Sequence, residues 1–154
     1  MLDTKNFNIR TGERTFDAAA FLRRSGADTA EVKKLMQSDL DHTVARCRIL
    51  QRAQIYAPGV ALVVEDEPQD RIVAAQAADE LLNVAGVECS VVVYPVPEGT
   101  FMSARSIGPV NVQLLLEPLG GGGNRAAAAA LCRGRTVEDT VRALKAAIDG
   151  SEAE

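Results

Sequence analysis

Ser103 and Arg105 are the residues of this chain best suited to chemistry, standing two apart in the stretch Thr100 to Ser106. A strand period of two puts them on one face and Met102 with Ala104 on the other. A hydroxyl beside a guanidinium on a rigid strand can bind phosphate or carboxylate oxygens, the guanidinium in bidentate fashion. An outward sheet face that is simply polar is the competing reading. Further on, Gly120, Gly121, Gly122 and Gly123 run into Asn124, Arg125 and a block of alanines. Such glycines tolerate positive φ, so the backbone can curl tightly and turn N–H groups toward an anion or a nucleotide. A flexible linker competes here, but apolar, patterned segments flank the run on both sides. Asp39, Asp41 and His42 form a third group. They are assigned to the wet side of a helix, because nothing nearby in sequence supplies further metal ligands.

Composition narrows the classes. With 154 residues, 47% of them apolar, and a formal net charge of −4, the chain suits one compact α/β or α domain. Trp is absent and aromatics make up 4%, so the core must come from Val, Leu, Ile and Ala, and platforms for stacking bases are scarce. The mildly acidic total argues against duplex nucleic acid while leaving room for a local basic patch on a short phosphate-bearing ligand. Cys47, Cys89 and Cys132 are widely spaced with no CxxC, which suits a reducing cytosol better than a zinc ribbon or a disulfide framework. The single histidine, His42, argues against a multi-histidine metal site or a complete Ser-His-Asp triad. No run of eighteen apolar residues and no basic-then-apolar leader stands out, so neither a membrane span nor a secretion signal is expected.

The elements that must position these residues are legible from periodicity. Thr15 is expected to cap a short helix through Arg24, ended by Gly26, and Asp28 to Glu31 has the capping-box pattern. From there to about Tyr56 a helical repeat of apolar residues predicts one long helix of roughly 40 Å. Pro58-Gly59 stops it. Val60 to Val64 reads as a buried strand, Glu65 to Gln69 as an acidic turn, and Asp70 to Ala85 as an amphipathic helix closed by Gly86. A strand from Val87 turns at Pro95 to Gly99 into the strand bearing Ser103 and Arg105. Gly108-Pro109 leads to a short helix, Val110 to about Glu117, which delivers the chain into the glycine run. A helical turn near Asn124 is expected to lead into a buried strand through the alanines. Thr136 should cap a last helix, Val137 to about Ile148, with Val141, Leu144 and Ile148 buried and Gly150 onward frayed. The fold class is therefore α/β, a mixed β-sheet flanked by helices, with a long N-terminal connecting helix.

Taken in order, MLDTKNF, RTFDAAAFLRRSGAD, MSARS, PVNVQLLLEPLGGGGN and the closing helix resemble the C-terminal part of DHH-family phosphoesterases. The similarity covers nearly the whole chain and is nearest to the membrane-anchored cyclic-di-AMP phosphodiesterases of the GdpP type. It implies a division into residues 1–27 as the end of a DHH catalytic domain, 28–56 as the connecting helix, 57–150 as a DHH-associated nucleotide-binding domain, and 151–154 as a disordered tail. It implies that Asp3 helps bind a pair of manganese ions in the parent enzyme, which this fragment alone would not hold. Ser103 and Arg105 match the family's SxR strand. Gly120, Gly121, Gly122 and Gly123 match its glycine loop, and Asn124 stands where the family usually has histidine. Asparagine keeps hydrogen-bonding capacity but cannot carry a positive charge. The implied ligand is cyclic di-AMP or a short linear dinucleotide, bound by a cytoplasmic portion of a larger, membrane-anchored hydrolase whose missing DHH catalytic domain supplies the reaction, with a homodimer among its partners. An oligoribonuclease-like phosphoesterase and a non-catalytic nucleotide-sensing or interaction module are the alternatives.

Overall fold

In the computed structural model the described residues are Phe7 and residues 11–151. The chain divides into two compact units, Met1–Ser38 and Asp39–Glu154. The first contains α1 (Glu13–Arg24) and α2 (Thr29–Leu35), neither of which buries a residue. Thr15 does not cap α1 from outside. It lies inside the first turn, where its Oγ1 accepts from Gly12 N at 3.3 Å. Asp28 caps α2 as expected, accepting from Ala30 N at 2.8 Å.

The long helix predicted over 28–56 is not continuous. It ends at Leu35, and a new helix, α3 (Leu40–Gln51), begins behind Asp39, whose carboxylate accepts from His42 N at 2.7 Å. The apolar repeat runs through both helices, but an Asp that satisfies an orphan N–H stabilises a helix start over a helix interior. His42 Nδ1 also lies 3.1 Å from Asp39 Oδ2, so Asp39 and His42 are engaged at the start of a helix. Beyond α3, the segment expected to remain helical becomes an edge strand, β1 (Gln54–Ala57), turning at Pro58-Gly59 into β2 (Val60–Val64).

The second unit is built on a six-stranded sheet of order β1-β2-β3-β4-β6-β5. Its remaining strands are β3 (Cys89–Val96), β4 (Gly99–Ser106), β5 (Gly122–Asn124) and β6 (Ala127–Arg133). Only β2 and β3 pair in parallel, joined by the crossover helix α4 (Arg71–Leu81). Being covered on both faces, these two strands read as continuous Val-rich runs without polar alternation. On one face Val91, Val93, Met102 and Ala104 pack with α5 (Val112–Leu116) and α6 (Val137–Ser151) through Leu115, Leu116, Leu144 and Ile148. On the other, Ala61, Val63 and Val92 pack with α3 and α4 through Ile49, Val73, Ala77 and Leu81. Each such aliphatic side chain removed from water contributes about 1.5–3 kcal/mol. Thr136 caps α6 as predicted, its Oγ1 accepting from Asp139 N at 3.2 Å, and the helix carries on through Gly150 to Ser151.

The helical turn expected near Asn124 is instead a hairpin. Gly122, Gly123 and Asn124 pair with Ala129, Ala128 and Ala127 as the edge strand β5. The alanine block prefers helix by intrinsic propensity, yet β6 is held in the sheet between β4 and β5, and tertiary pairing overrides the weak local preference.

Candidate functional site

The α3/α4 layer covers β2 and β3 but stops short of the far edge of the sheet. Along β6, Ala128, Ala130 and Cys132 are buried on the α5/α6 side, while Ala127, Ala129 and Leu131 remain half-buried on the other. What is left is a shallow open cavity of about 360 Å3, bounded by Phe101, Ser103 and Arg105 of β4, Gly122 and Gly123 of β5, and Arg71 of α4. The expected pairing of Ser103 with Arg105 on one face of a strand is what the register of β4 delivers, with Met102 and Ala104 turned to the core.

Arg105 is held before any ligand arrives. Its Nε lies 3.3 Å from Asp79 Oδ1 on α4, and its Nη1 donates to the Ala104 carbonyl at 2.9 Å. The pair is only partly open to solvent, at 19% and 31% of the side chains. A guanidinium has five donors in a fixed fork, so these contacts leave further donors for an anion. Ser103 is 3% exposed, and its hydroxyl makes no hydrogen bond among the described residues, which leaves it a donor and acceptor at the cavity wall.

The glycines divide by role. Gly120 has φ +78 and closes a 3-10 turn, Glu117–Leu119, donating its N–H to Glu117 O at 3.0 Å, and Gly121 N donates to Leu116 O at 2.9 Å. Those two N–H groups are spent inside the fold. Gly122 and Gly123 reach the cavity. Asn124 does not line it: its Oδ1 accepts from Ala126 N at 2.9 Å and Ala127 N at 3.1 Å, forming an Asx turn that closes the β5–β6 hairpin. Asp3 lies outside the described residues. Among the described residues no three His, Cys, Asp or Glu side chains converge where a metal ion could sit.

Sequence reasoning missed the opposite wall. Arg71, Ala75 and Asp79 recur at i, i+4 and i+8 and so share one line on α4. Phe101, Ser103 and Arg105 share one face of β4. The two rows run side by side, Asp79 on Arg105 and the Arg71 guanidinium 4.6 Å above the Phe101 ring. Eight helical residues span about 12 Å and four strand residues about 13 Å, so the rows stay matched. Between them the short Ala75 side chain leaves the gap in front of Ser103. The signal was present as the Arg-Ala-Asp repeat, passed over because the amphipathic helix was read from its apolar face.

Behind Phe101 lies Tyr94, its ring centroid 5.5 Å away and its hydroxyl buried with no partner. Burial pushes its pKa up to about 12, with Arg71 pulling it down and Asp70 raising it. Glu65, at the end of β2, is also shifted up by burial, and Arg52 pulls it back from 3.4 Å. A larger cavity of about 620 Å3 opens at the starts of β2 and β3, mainly apolar, with Glu88 as the one charged residue in its lining. A carboxylate there repels phosphate, so the smaller, cation-bearing cavity is the candidate for an anionic ligand. No helix among the described residues is long and apolar enough to cross a membrane.

The cyclic-di-AMP phosphodiesterase GdpP of Geobacillus thermodenitrificans is 44% identical over 151 residues, 96% of this chain. That of Bacillus subtilis is 42% identical over 154 residues, 97% of the chain. In both cases the chain spans only 23% of the relative's length. Among solved structures, an exopolyphosphatase-related protein from Bacteroides fragilis superposes with a TM-score of 0.86 over 97% of this chain and 47% of its own, at 18% identity, a likeness of fold. The family model of the DHHA1 domain matches residues 58–150, which contain the whole cavity, and the chain belongs to that family.

Proposed function

We propose that this chain is the substrate-binding portion of a DHH-family phosphodiesterase that hydrolyses cyclic di-AMP to a linear dinucleotide. The observation that carries the reading is the convergence of Ser103, Arg105 and the Gly122-Gly123 strand on one open cavity, in a chain 42–44% identical to two cyclic-di-AMP phosphodiesterases. Arg105, aimed by Asp79, takes the non-bridging oxygens of a phosphodiester through the donors it has left, and Ser103 adds a hydrogen bond. The side-chain-free surface of β5 lets the sugar-phosphate backbone approach closely. These residues bind and orient; none of them is a nucleophile or a general base.

The same reading assigns the reaction to parts of the longer protein. There a pair of manganese ions, with Asp3 among their ligands, would activate water and stabilise the leaving oxygen. The cytoplasmic placement of this portion, a membrane anchor elsewhere, a homodimer and a contact of Asn124 with the nucleotide belong to the proposal as well. Residues 1–27 are read as the end of the catalytic domain, in keeping with helix α1, which buries no residue.

The test is titration of the chain with cyclic di-AMP and with linear adenine dinucleotide, compared with Arg105→Ala. Loss of a charge-assisted phosphate contact should cost about 1.5–3 kcal/mol of binding. Unchanged affinity removes Arg105 from the site, and a preference for linear RNA over both dinucleotides favours the oligoribonuclease-like alternative.

A further inference from the structure

The reading above uses one end of the cavity and leaves the other unexplained. Arg71 is exposed at the first turn of α4, laid over the Phe101 ring at 4.6 Å. Its guanidinium makes no hydrogen bond or ion pair among the described residues. The N-cap carboxylate beside it, Asp70, is turned onto Ile72 N and Val73 N at 2.8 and 3.0 Å. Phe101 is backed in turn by the buried ring of Tyr94. The outcome is a cation seated over one ring of a tilted aromatic pair, at the cavity that Ser103 and Arg105 also line.

We propose that Arg71, supported by Phe101, is a stacking platform for a nucleobase of the bound dinucleotide, an inference that rests on Ser103 and Arg105 holding its phosphate. Two observations point to a base here and not a second phosphate. The guanidinium carbon lies 4.6 Å over the Phe101 ring, which steadies the cation, and a guanidinium can stack on a base. The spacing also suits a base: along β4, Phe101 and Arg105 are four residues apart, roughly 13 Å at 3.3 Å per residue. That is a longer reach than two phosphates on one dinucleotide need, and it fits one phosphate plus an outlying base. Ala75, Ala127 and Ala129 leave the floor between them flat and low, so the ribose can lie across it. In a chain with no Trp and few aromatics, an Arg on a Phe supplies the platform that free aromatic side chains do not.

The test uses linear adenine dinucleotide and two versions of it, each lacking the base on one nucleotide, titrated against the chain and its Arg71→Ala and Phe101→Leu variants. Arg71 is exposed, so its variant folds; Phe101→Leu keeps the apolar contact with Tyr94 and removes the ring under the guanidinium. Both variants should bind the intact dinucleotide roughly 5- to 100-fold more weakly and bind one of the base-deleted probes as the parent chain does. A 2-aminopurine at the same position should be quenched by the parent chain and not by Arg71→Ala, with no Trp emission to interfere. Equal weakening for all three probes makes Arg71 a plain charge contact and overturns the platform, as does no weakening for any. Arg105→Ala separates the two failures. If it weakens every probe while Arg71→Ala weakens none, only the platform falls; if it weakens none, or if the parent chain binds none of the probes, the reading of the site falls with it.

Discussion

Gly122 and Gly123 are neighbours in β5, and the structure predicts opposite consequences for adding a methyl group to each. A Cβ on Gly123 would sit 2.3 Å from Ala127 O and 2.6 Å from Ala128 Cα, at φ +149, a conformation that side chains rarely adopt. The atoms it meets are backbone, so they cannot yield by rotating. Overpacking costs about 1–3 kcal/mol and backbone strain a similar amount. Their sum is limited because β5 is a three-residue, exposed edge strand that can detach from β6 instead of bearing the clash. About 3 kcal/mol is therefore expected for Gly123→Ala, a fall in Tm on the order of 10 °C. A Cβ on Gly122 meets nothing within 4 Å and needs no unusual φ, so Gly122→Ala should leave stability within about 0.5 kcal/mol of the parent. Its methyl would stand at the wall of the cavity, level with Ala129 and Ser103 in the sheet, and should weaken dinucleotide binding without touching the melt. Thermal unfolding of the two variants, followed by titration of Gly122→Ala, separates stability from binding. A Gly122→Ala that melts as low as Gly123→Ala, or a Gly123→Ala that melts like the parent, would refute the strand geometry, and a Gly122→Ala that binds normally would remove β5 from the site.

Other perturbations test other parts of the fold. Burial pushes Cys89 from 9.0 up to about 11 and Tyr94 from 10.0 up to about 12. Between about pH 9 and 12 the unfolded chain therefore holds fewer protons than the folded one, and stability falls as pH rises across that window. Urea unfolding at pH 8, 10 and 11.5 checks this, and Cys89→Ala should flatten the lower part of the decline. Asn124→Ala removes two turn hydrogen bonds and should cost about 1 kcal/mol; a larger loss of ligand affinity than of stability would bring its free amide group into the site. Asp39→Ala removes the cap of α3, with an expected cost of about 0.5–2 kcal/mol by denaturant midpoint. No change there would mean the break between α2 and α3 is held by something other than the cap.

Local rules carried far in this chain. Val60–Val64 is the predicted strand residue for residue, because a short Val-rich run next to Pro-Gly admits little else. The turn of Ser103 and Arg105 to one side and of Met102 and Ala104 to the other followed from strand period alone, and the caps at Asp28 and Thr136 followed from the need of helix starts for an acceptor. The failures share one cause. The apolar repeat over 28–56 looks the same whether its residues form one helix or two helices and an edge strand, and only the cap at Asp39 and the pairing of Gln54–Ala57 with β2 decided it. The alanines of β6 and the glycines of β5 carry little preference of their own, so their strand pairing is a property of the sheet they complete.

The same contrast holds at LGGGGN, Ser103 and Arg105. The sequence by itself determined the chemistry on offer, a guanidinium, a hydroxyl and a glycine backbone, since these follow from residue type and from a period of two. Tertiary structure decided which of them meet. It spent Gly120, Gly121 and the Asn124 side-chain oxygen on turns and brought Gly122 and Gly123 to the cavity that Arg105 lines. It also set Arg71 and Asp79 of a separate helix against Phe101 and Arg105. Those contacts join positions some thirty residues apart, and no local pattern encodes a distance of that kind; it is set by how α4 packs across β3 and β4.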